Sequence, residues 1–285
     1  MEKKVPIFYF SGTGNTWWVG NTIAEALGEV GYDASTHSIE QVSPQEVQRL
    51  VSEAEVVGIG YPIYGSDAPG IMKTFLDQLP AVDGPKPMLI YITQMEWSGN
   101  GAYFLRRKIE AKGYQIRWAV HFRMPNNIGM DVSPLSATAD YEKFSKRLEK
   151  AEAMAAKLAQ RIRGNQAWIH SNNPFAWLAA WFQRGPFRIG IQWAQNRTYS
   201  VDAEKCTHCG RCERICPVDN ITLNQAGLPE WSDHCILCVR CFNYCPEQAI
   251  LAYQRPFNHK RFGEKPFQGP VPEFKPELIT KKHSQ

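Results

Sequence analysis

Over the first 164 residues, short unbroken apolar runs alternate with stretches of helical periodicity. Val5–Phe10 (VPIFYF) is continuously apolar, as a strand covered on both faces of a parallel sheet must be. Its proline lies near the strand start, where a missing N–H is tolerated. Trp18, Ile23, Ala26 and Leu27 then recur at helical spacing up to Gly28–Gly31. The pattern predicts a weaker strand over Asp33–Ser38, a helix over Ser43–Glu53 and a strongly apolar strand over Val56–Gly60. A helix over Pro69–Leu79, a strand over Pro87–Thr93, a helix over Gly101–Lys112 and a strand over Tyr114–Phe122 follow. Asp140–Arg163, rich in Ala, Lys and Glu, reads as a long amphipathic helix. Such alternation predicts an α/β domain over 1–164, a doubly wound sheet of five parallel strands.

After residue 164 the periodicity breaks. Asn165–Ser200 holds Trp168, Phe175, Trp177, Trp181, Phe182, Phe187 and Trp193, with a helix start at Asn173-Pro174. Arg184, Gly185, Pro186 and Arg188 interrupt it too often for a membrane span. Residues 165–199 are expected to be an aromatic connector packed between two domains. An interfacial membrane contact or a partner-binding surface is the alternative. Residues 200–254 form a small cysteine-rich domain with an internal repeat, Cys206 and Cys235 lying 29 positions apart. Residues 255–285, with five prolines and seven Lys/Arg against three Glu, read as an extended basic tail without a core of its own.

Composition narrows the classes. Of the 285 residues, 44% are hydrophobic and 12% aromatic, as in a core-forming globular protein. A formal net charge of +4 leaves no large nucleic-acid footprint. Met1-Glu-Lys-Lys leads straight into the first strand with no apolar signal core, so a cytoplasmic location is expected.

The cysteines carry the strongest chemical signal. Cys206-Thr-His-Cys209-Gly-Arg-Cys212-Glu-Arg-Ile-Cys216-Pro217 repeats as Cys235-Ile-Leu-Cys238-Val-Arg-Cys241-Phe-Asn-Tyr-Cys245-Pro246. Each half is C-x2-C-x2-C-x3-C-P, the bacterial ferredoxin run whose fourth cysteine ligates the other cluster. Three thiolates on one tight loop cap three irons of a cube, and the fourth points away. That assigns Cys206, Cys209, Cys212 and Cys245 to one 4Fe–4S cluster and Cys235, Cys238, Cys241 and Cys216 to the other. Zinc ribbons use two cysteines per knuckle and fit this cadence less well. All eight cysteines are consumed, which leaves no thiol for nucleophilic or disulfide chemistry. Reduced thiolate ligands again point to a reducing compartment. Ile221 and Ile250, five positions after the crossing cysteines, are expected to cover a cluster each.

Ser11-Gly12-Thr13-Gly14-Asn15-Thr16, between the first strand and helix, is the second signal. It lacks the lysine of a Walker A loop, and Trp17 stands where a dinucleotide fingerprint needs glycine. What remains is a loop of hydroxyls and backbone N–H groups at a helix N-terminus, an anion site without a side-chain cation. A terminal phosphate monoester suits it.

This loop resembles that of the flavodoxins, Ser/Thr-x-Thr-Gly-x-Thr, at every diagnostic position. The resemblance implies the strand order 2-1-3-4-5 and FMN, with Ser11, Gly12, Thr13, Gly14, Asn15 and Thr16 on its phosphate. It places Tyr61–Ser66 on one side of the ring, through Pro62, Tyr64 and Gly65. Thr93–Gly101 takes the other side, through Thr93, Trp97 and Gly99, with Tyr64 and Trp97 as stacking partners.

A flavodoxin-like domain followed by a two-cluster ferredoxin domain is the layout of the flavodoxin–ferredoxin fusion proteins. Met124–Ile128, Trp231 and Arg255–Arg261 resemble segments of that group. The layout implies an iron–sulfur flavoprotein oxidoreductase taking electrons from ferredoxin, or another low-potential redox protein, to FMN and a small organic acceptor. The other reading is a carrier between redox proteins with no substrate of its own. No nicotinamide-binding fingerprint is present, and no catalytic residue is singled out. His37, His121, His170, His208, His234, His259 and His283 are scattered, with His208 and His234 beside cluster ligands.

Overall fold

The computed structural model describes residues 3–65, 67–129, 141–178, 180–182, 184–185 and 198–281. Ser66, Asp140, Pro186, Phe187, Arg188, Trp193 and His283, used in the sequence reading, lie outside them.

The N-terminal unit runs β1 (Lys4–Tyr9), α1 (Asn15–Glu29), β2 (Asp33–Ser38), α2 (Pro44–Glu53), β3 (Val57–Pro62), α3 (Gly70–Gln78), β4 (Lys86–Gln94), α4 (Arg106–Glu110), β5 (Tyr114–Arg123), α5 (Tyr141–Arg163) and β6 (Trp168–Ile169). The sheet order is β2-β1-β3-β4-β5-β6, and every pairing in it is parallel. Its first five strands have the flavodoxin order.

The unbroken apolar runs have a direct cause. Val5, Ile7 and Tyr9 of β1 face a core with Val19, Ile23 and Leu27 of α1 and Ala155, Leu158 and Ile162 of α5. Phe8 and Phe10, pointing the opposite way, join Val47 and Val51 of α2, Met72 and Leu76 of α3 and Ile109 of α4. Both faces are therefore covered, and because every pairing is parallel the loops after the strands lie along one edge of the sheet.

Two expectations change. The sheet has a sixth strand, because Trp168 and Ile169 pair with Trp118 and Ala119. Two residues are too short to show a period of their own. The helix expected over Gly101–Lys112 is regular only over Arg106–Glu110. Its first part is held as a turn by the Asn100 carbonyl, which accepts from the N–H groups of Tyr103 and Phe104.

The described part of the connector lies on the N-terminal domain. Its helix α6, over 174–178, 180–182 and 184–185, lies on the loop after β4. A Cβ on Gly99 would stand 2.7 Å from that of Ala180, and Arg184 donates to Asn100 Oδ1. Phe175, Leu178, Trp181 and Phe182 remain exposed.

The cluster domain pairs β7 (Tyr199–Val201) with β10 (Ile250–Ala252), and β8 (Ile221–Leu223) with β9 (Pro229–Trp231). Short helices α7 (Arg211–Arg214) and α8 (Arg240–Asn243) follow the two cysteine loops. The 29-residue repeat extends to the backbone. His208, Gly210 and Asp219 have φ of 55°, 66° and 51°, and Leu237, Val239 and Gln248 have 55°, 56° and 50°. A β-branched valine rarely adopts this left-handed region, so the loop shape there is imposed by what the loop surrounds.

The tail, with α9 (His259–Phe262) and a 3-10 turn (Pro276–Leu278), has no core of its own but is not free. Phe274 and Ile279 are buried in the α1/α5-side core. Ser38 Oγ donates to the Ile279 carbonyl at 2.6 Å, and Gln41 donates to those of Leu278 and Thr280.

Candidate functional site

The cysteines gather into two quartets around separate enclosed spaces. Cys206, Cys209, Cys212 and Cys245 line one together with Leu223 and Ile250. Cys216, Cys235, Cys238 and Cys241 line the other together with Ile221, Tyr199 and Val239. Each quartet thus takes three members from one repeat and the fourth from the other. N–H groups of Asn220 and Ala249, equivalent in the repeat, donate to Cys216 Sγ and Cys245 Sγ at 3.3 Å each. Burial pushes the Cys212 and Cys235 thiols up to about 11 and the Cys238 thiol up to about 12. Thiolates at such sites require strongly bound positive charge, which iron supplies. The donor set, four sulfurs per space, fits 4Fe–4S clusters.

The second quartet lies against the Ser11–Thr16 loop. A Cβ on Gly12 would stand 2.7 Å from the Cys238 carbonyl oxygen and 2.7 Å from Tyr64 Oη. Arg240, between Cys238 and Cys241, is fully buried and holds this junction. Its Nε donates to the Gly12 carbonyl at 3.0 Å and its Nη2 to the Ser11 carbonyl at 2.7 Å. Both Nη atoms reach Glu40, at 2.9 and 2.7 Å, and Nη1 also serves Ile215 O and Thr280 Oγ1. Burial alone would lower this guanidinium, but the Glu40 carboxylate holds it above its ordinary value. Tyr244 Oη donates to the Thr13 carbonyl at 3.2 Å. Arg211, the repeat equivalent of Arg240, pairs instead with Glu277 of the tail.

The loop itself is enclosed. Ser11, Thr13, Asn15 and Thr16 are all buried. Thr13 Oγ1 accepts from Asn127 Nδ2 at 2.7 Å, and the Thr16 and Thr93 hydroxyls share a hydrogen bond at 2.8 Å. Asn15 Nδ2 donates to the Pro125 carbonyl, while Asn15 Oδ1 is buried without a partner. Helix α1 starts at Gly14, in a left-handed conformation with φ 105°, with no side-chain cap and no acidic residue in its first turn. Phe274 and Pro270 of the tail lie 2.8 Å from where a Gly14 Cβ would be. An uncapped helix start is a phosphate site. The unspent Asn15 acceptor suits a hydroxyl donor such as those on a ribityl chain, so the residues present fit FMN.

The flavin-loop residues divide. Pro62 ends β3, and Tyr64 Oη lies 2.7 Å from where a Gly12 Cβ would be, beside the Cys238 carbonyl. Gly65 has φ 57° in the turn that follows. Trp97 lies elsewhere, half exposed beside Phe175. Gly99 is close to α6 instead of an open space. Trp97 lines a cleft of about 1600 Å³ between the ends of β4 and β5, helix α5 and the tail. Pro125 and Pro270, which touch the phosphate loop, border the same cleft. Tyr64 does not line it.

Sequence reasoning missed Arg240 and Glu40. The only signal was an arginine before the third cysteine in both repeats, Arg211 and Arg240.

Comparison with known proteins agrees with this layout. Residues 199–222 match a 4Fe–4S binding domain family, and residues 232–252 match a second family of the same description. Diflavin flavoprotein A 2 of Thermosynechococcus vestitus is 29% identical over 115 residues, 40% of this chain and 20% of that protein. Diflavin flavoprotein A 4 of Synechocystis sp. is 26% identical over 135 residues, 47% of this chain and 23% of that protein. The chain therefore spans about a fifth of the length of these curated relatives. Among solved structures, a flavodoxin from the domain Archaea aligns at 17% identity and TM-score 0.40, covering 56% of this chain and 99% of that one. The Megasphaera elsdenii flavodoxin aligns at 24% identity and TM-score 0.38, covering 53% and 98%.

The chain is a flavodoxin-like domain followed by two 4Fe–4S binding segments. Residues 199–222 and 232–252 make it an iron–sulfur protein, and the Ser11–Thr16 loop, on a sheet of flavodoxin strand order, has the residues to hold FMN. No helix among the described residues is long and apolar enough to cross a membrane.

Proposed function

We propose that this chain is an oxidoreductase that takes electrons from a low-potential redox protein such as ferredoxin, in a reducing cytoplasm, and delivers them to a small organic acceptor. The observation that carries this is the junction at Gly12, where the Cys238 loop and the phosphate loop touch. When bound, the clusters pass single electrons and FMN can accumulate two.

The protein's own residues hold the parts in place. Cys206, Cys209, Cys212 and Cys245 hold the outer cluster, and Cys216, Cys235, Cys238 and Cys241 the one at the junction. Ser11, Thr13, Asn15 and Thr16 hold the FMN phosphate with the start of α1. Arg240 clamps the Cys238–Cys241 loop to Ser11, Gly12 and Glu40, so the distance between the two centres is fixed. The roof of Phe274 and Pro270 keeps water from the loop.

Rapid anaerobic mixing with reduced ferredoxin tests the reading. Cluster bleaching should precede flavin bleaching, with a second rate independent of protein concentration. Reoxidation of the flavin by small molecules supports the enzyme, and reoxidation by protein partners alone would make it a carrier. Flavin reduction by a nicotinamide ahead of the clusters would overturn the reading.

Two substitutions test the sites. Cys216→Ala should remove the cluster of Cys235, Cys238 and Cys241 and spare that of Cys206, Cys209 and Cys212. Iron content and electron paramagnetic resonance would show which is lost. Thr16→Ala should weaken FMN by about 1–3 kcal/mol, since no cation compensates for the lost donor. The FMN dissociation constant reads this directly, and iron content should not change.

A further inference from the structure

The 1600 Å³ cleft, beside the phosphate loop, carries an excess of positive charge. Among the described residues its lining holds five cations, Arg123, Lys146, Arg147, Lys150 and Lys265, against the single carboxylate of Glu96. Arg147 is committed, bonded to Glu96 and to the carbonyls of Met95 and Met124. Arg123, Lys146, Lys150 and Lys265 have no ion pair among the described residues.

The remaining walls are flat and apolar, built by Trp97, Phe144, Phe257, Phe262 and Phe267. His121 and His170 also line it. Ala102 N–H donates to His121 Nε2, and His121 N–H donates to His170 Nδ1. The first imidazole is therefore protonated at Nδ1 and the second at Nε2, and neither N–H has a partner among the described residues. Burial and the neighbouring His170 bring His121 down to about 3, so it stays a neutral donor. Unpaired cations over aromatic walls and neutral N–H donors suit one kind of ligand.

We propose that this cleft binds the acceptor, and that the acceptor is an organic anion: a planar, unsaturated body carrying a carboxylate or phosphate group. The anion meets Arg123, Lys146, Lys150 and Lys265, and the body lies among the aromatic rings. A polar group on the body accepts from His121 or His170. This names the substrate class of the oxidoreductase proposed above and rests on that reading.

The test is calorimetric titration of the fully loaded protein with trans-cinnamate, phenyl phosphate and the neutral isostere cinnamamide. Binding of an anion is expected, at least about tenfold tighter than the amide and weakened by salt. A preference for cinnamate over phenyl phosphate identifies a carboxylate ligand, and the reverse a phosphate ester. The double variant Arg123→Gln/Lys150→Gln should lose about tenfold in anion affinity at unchanged FMN and iron content. Equal binding of acid and amide, or binding of neither anion, would overturn the proposal. So would loss of FMN from the double variant, because the cations would then serve the flavin. Binding needs no electron donor. An anion bound tightly but never reduced leaves this site standing and removes the oxidoreductase reading alone.

Discussion

Arg240→Met is expected to destabilise the assembled protein by about 3–5 kcal/mol, the cost of breaking a buried ion pair from one side. Glu40 would keep its carboxylate at a side-chain exposure of 2%, with no counter-charge. The carbonyls of Ser11, Gly12 and Ile215 and the Thr280 hydroxyl would lose the same donor together. Methionine fills much of the volume, so the loss is one of hydrogen bonds and charge and not of packing. Urea titration with two optical readouts measures it, flavin fluorescence for the N-terminal domain and cluster absorbance for the other. Both midpoints should fall, and FMN should be released at lower urea than in the parent protein. Arg240→Met/Glu40→Met should recover the part of the loss due to the unpaired charge, while the carbonyls of Ser11, Gly12 and Ile215 still lack their donor. Unchanged midpoints in the single variant would show that Arg240 is not what joins the halves.

The residues of this junction show what a sequence reveals and what it hides. The gathering of the eight cysteines and the strand–loop–helix of Ser11–Thr16 are legible because their spacing is local, within a dozen consecutive residues each. The sheet was legible because β1, β3 and β4 are covered on both faces and so read as unbroken apolar runs. Arg240 and Glu40 meet across 200 positions, and neither carries a local pattern.

The docking of the tail is hidden for a related reason. Phe274 and Ile279 are single apolar residues among prolines and charges, too sparse to predict a core, yet they complete one that other elements built. The connector shows a second limit of composition. Its aromatic content predicted burial between domains, whereas Phe175 and Trp181 are 74% and 70% exposed. Composition reports that a segment has apolar surface, not which neighbour covers it.

Gly12→Ala is expected to separate the two halves without unfolding either. Gly12 has an ordinary negative-φ conformation, so alanine brings no backbone strain of its own, and the effect is one of contact. The new methyl group would stand 2.7 Å from both the Cys238 carbonyl oxygen and Tyr64 Oη. The tyrosine end can swing aside. The carbonyl belongs to a ligand loop held by three cysteines, so the whole cluster domain must give way by several tenths of an ångström. Overpacking of this kind costs about 1–3 kcal/mol, here taken from docking and not from either core. Iron and FMN content should match the parent protein. In stopped-flow mixing with reduced ferredoxin, cluster bleaching should keep its rate while flavin bleaching slows. Gly28→Ala is the control, because nothing lies within 4 Å of the added Cβ there, and both of its rates should be those of the parent protein. Flavin bleaching at the parent rate in Gly12→Ala would mean that electrons do not cross at this junction.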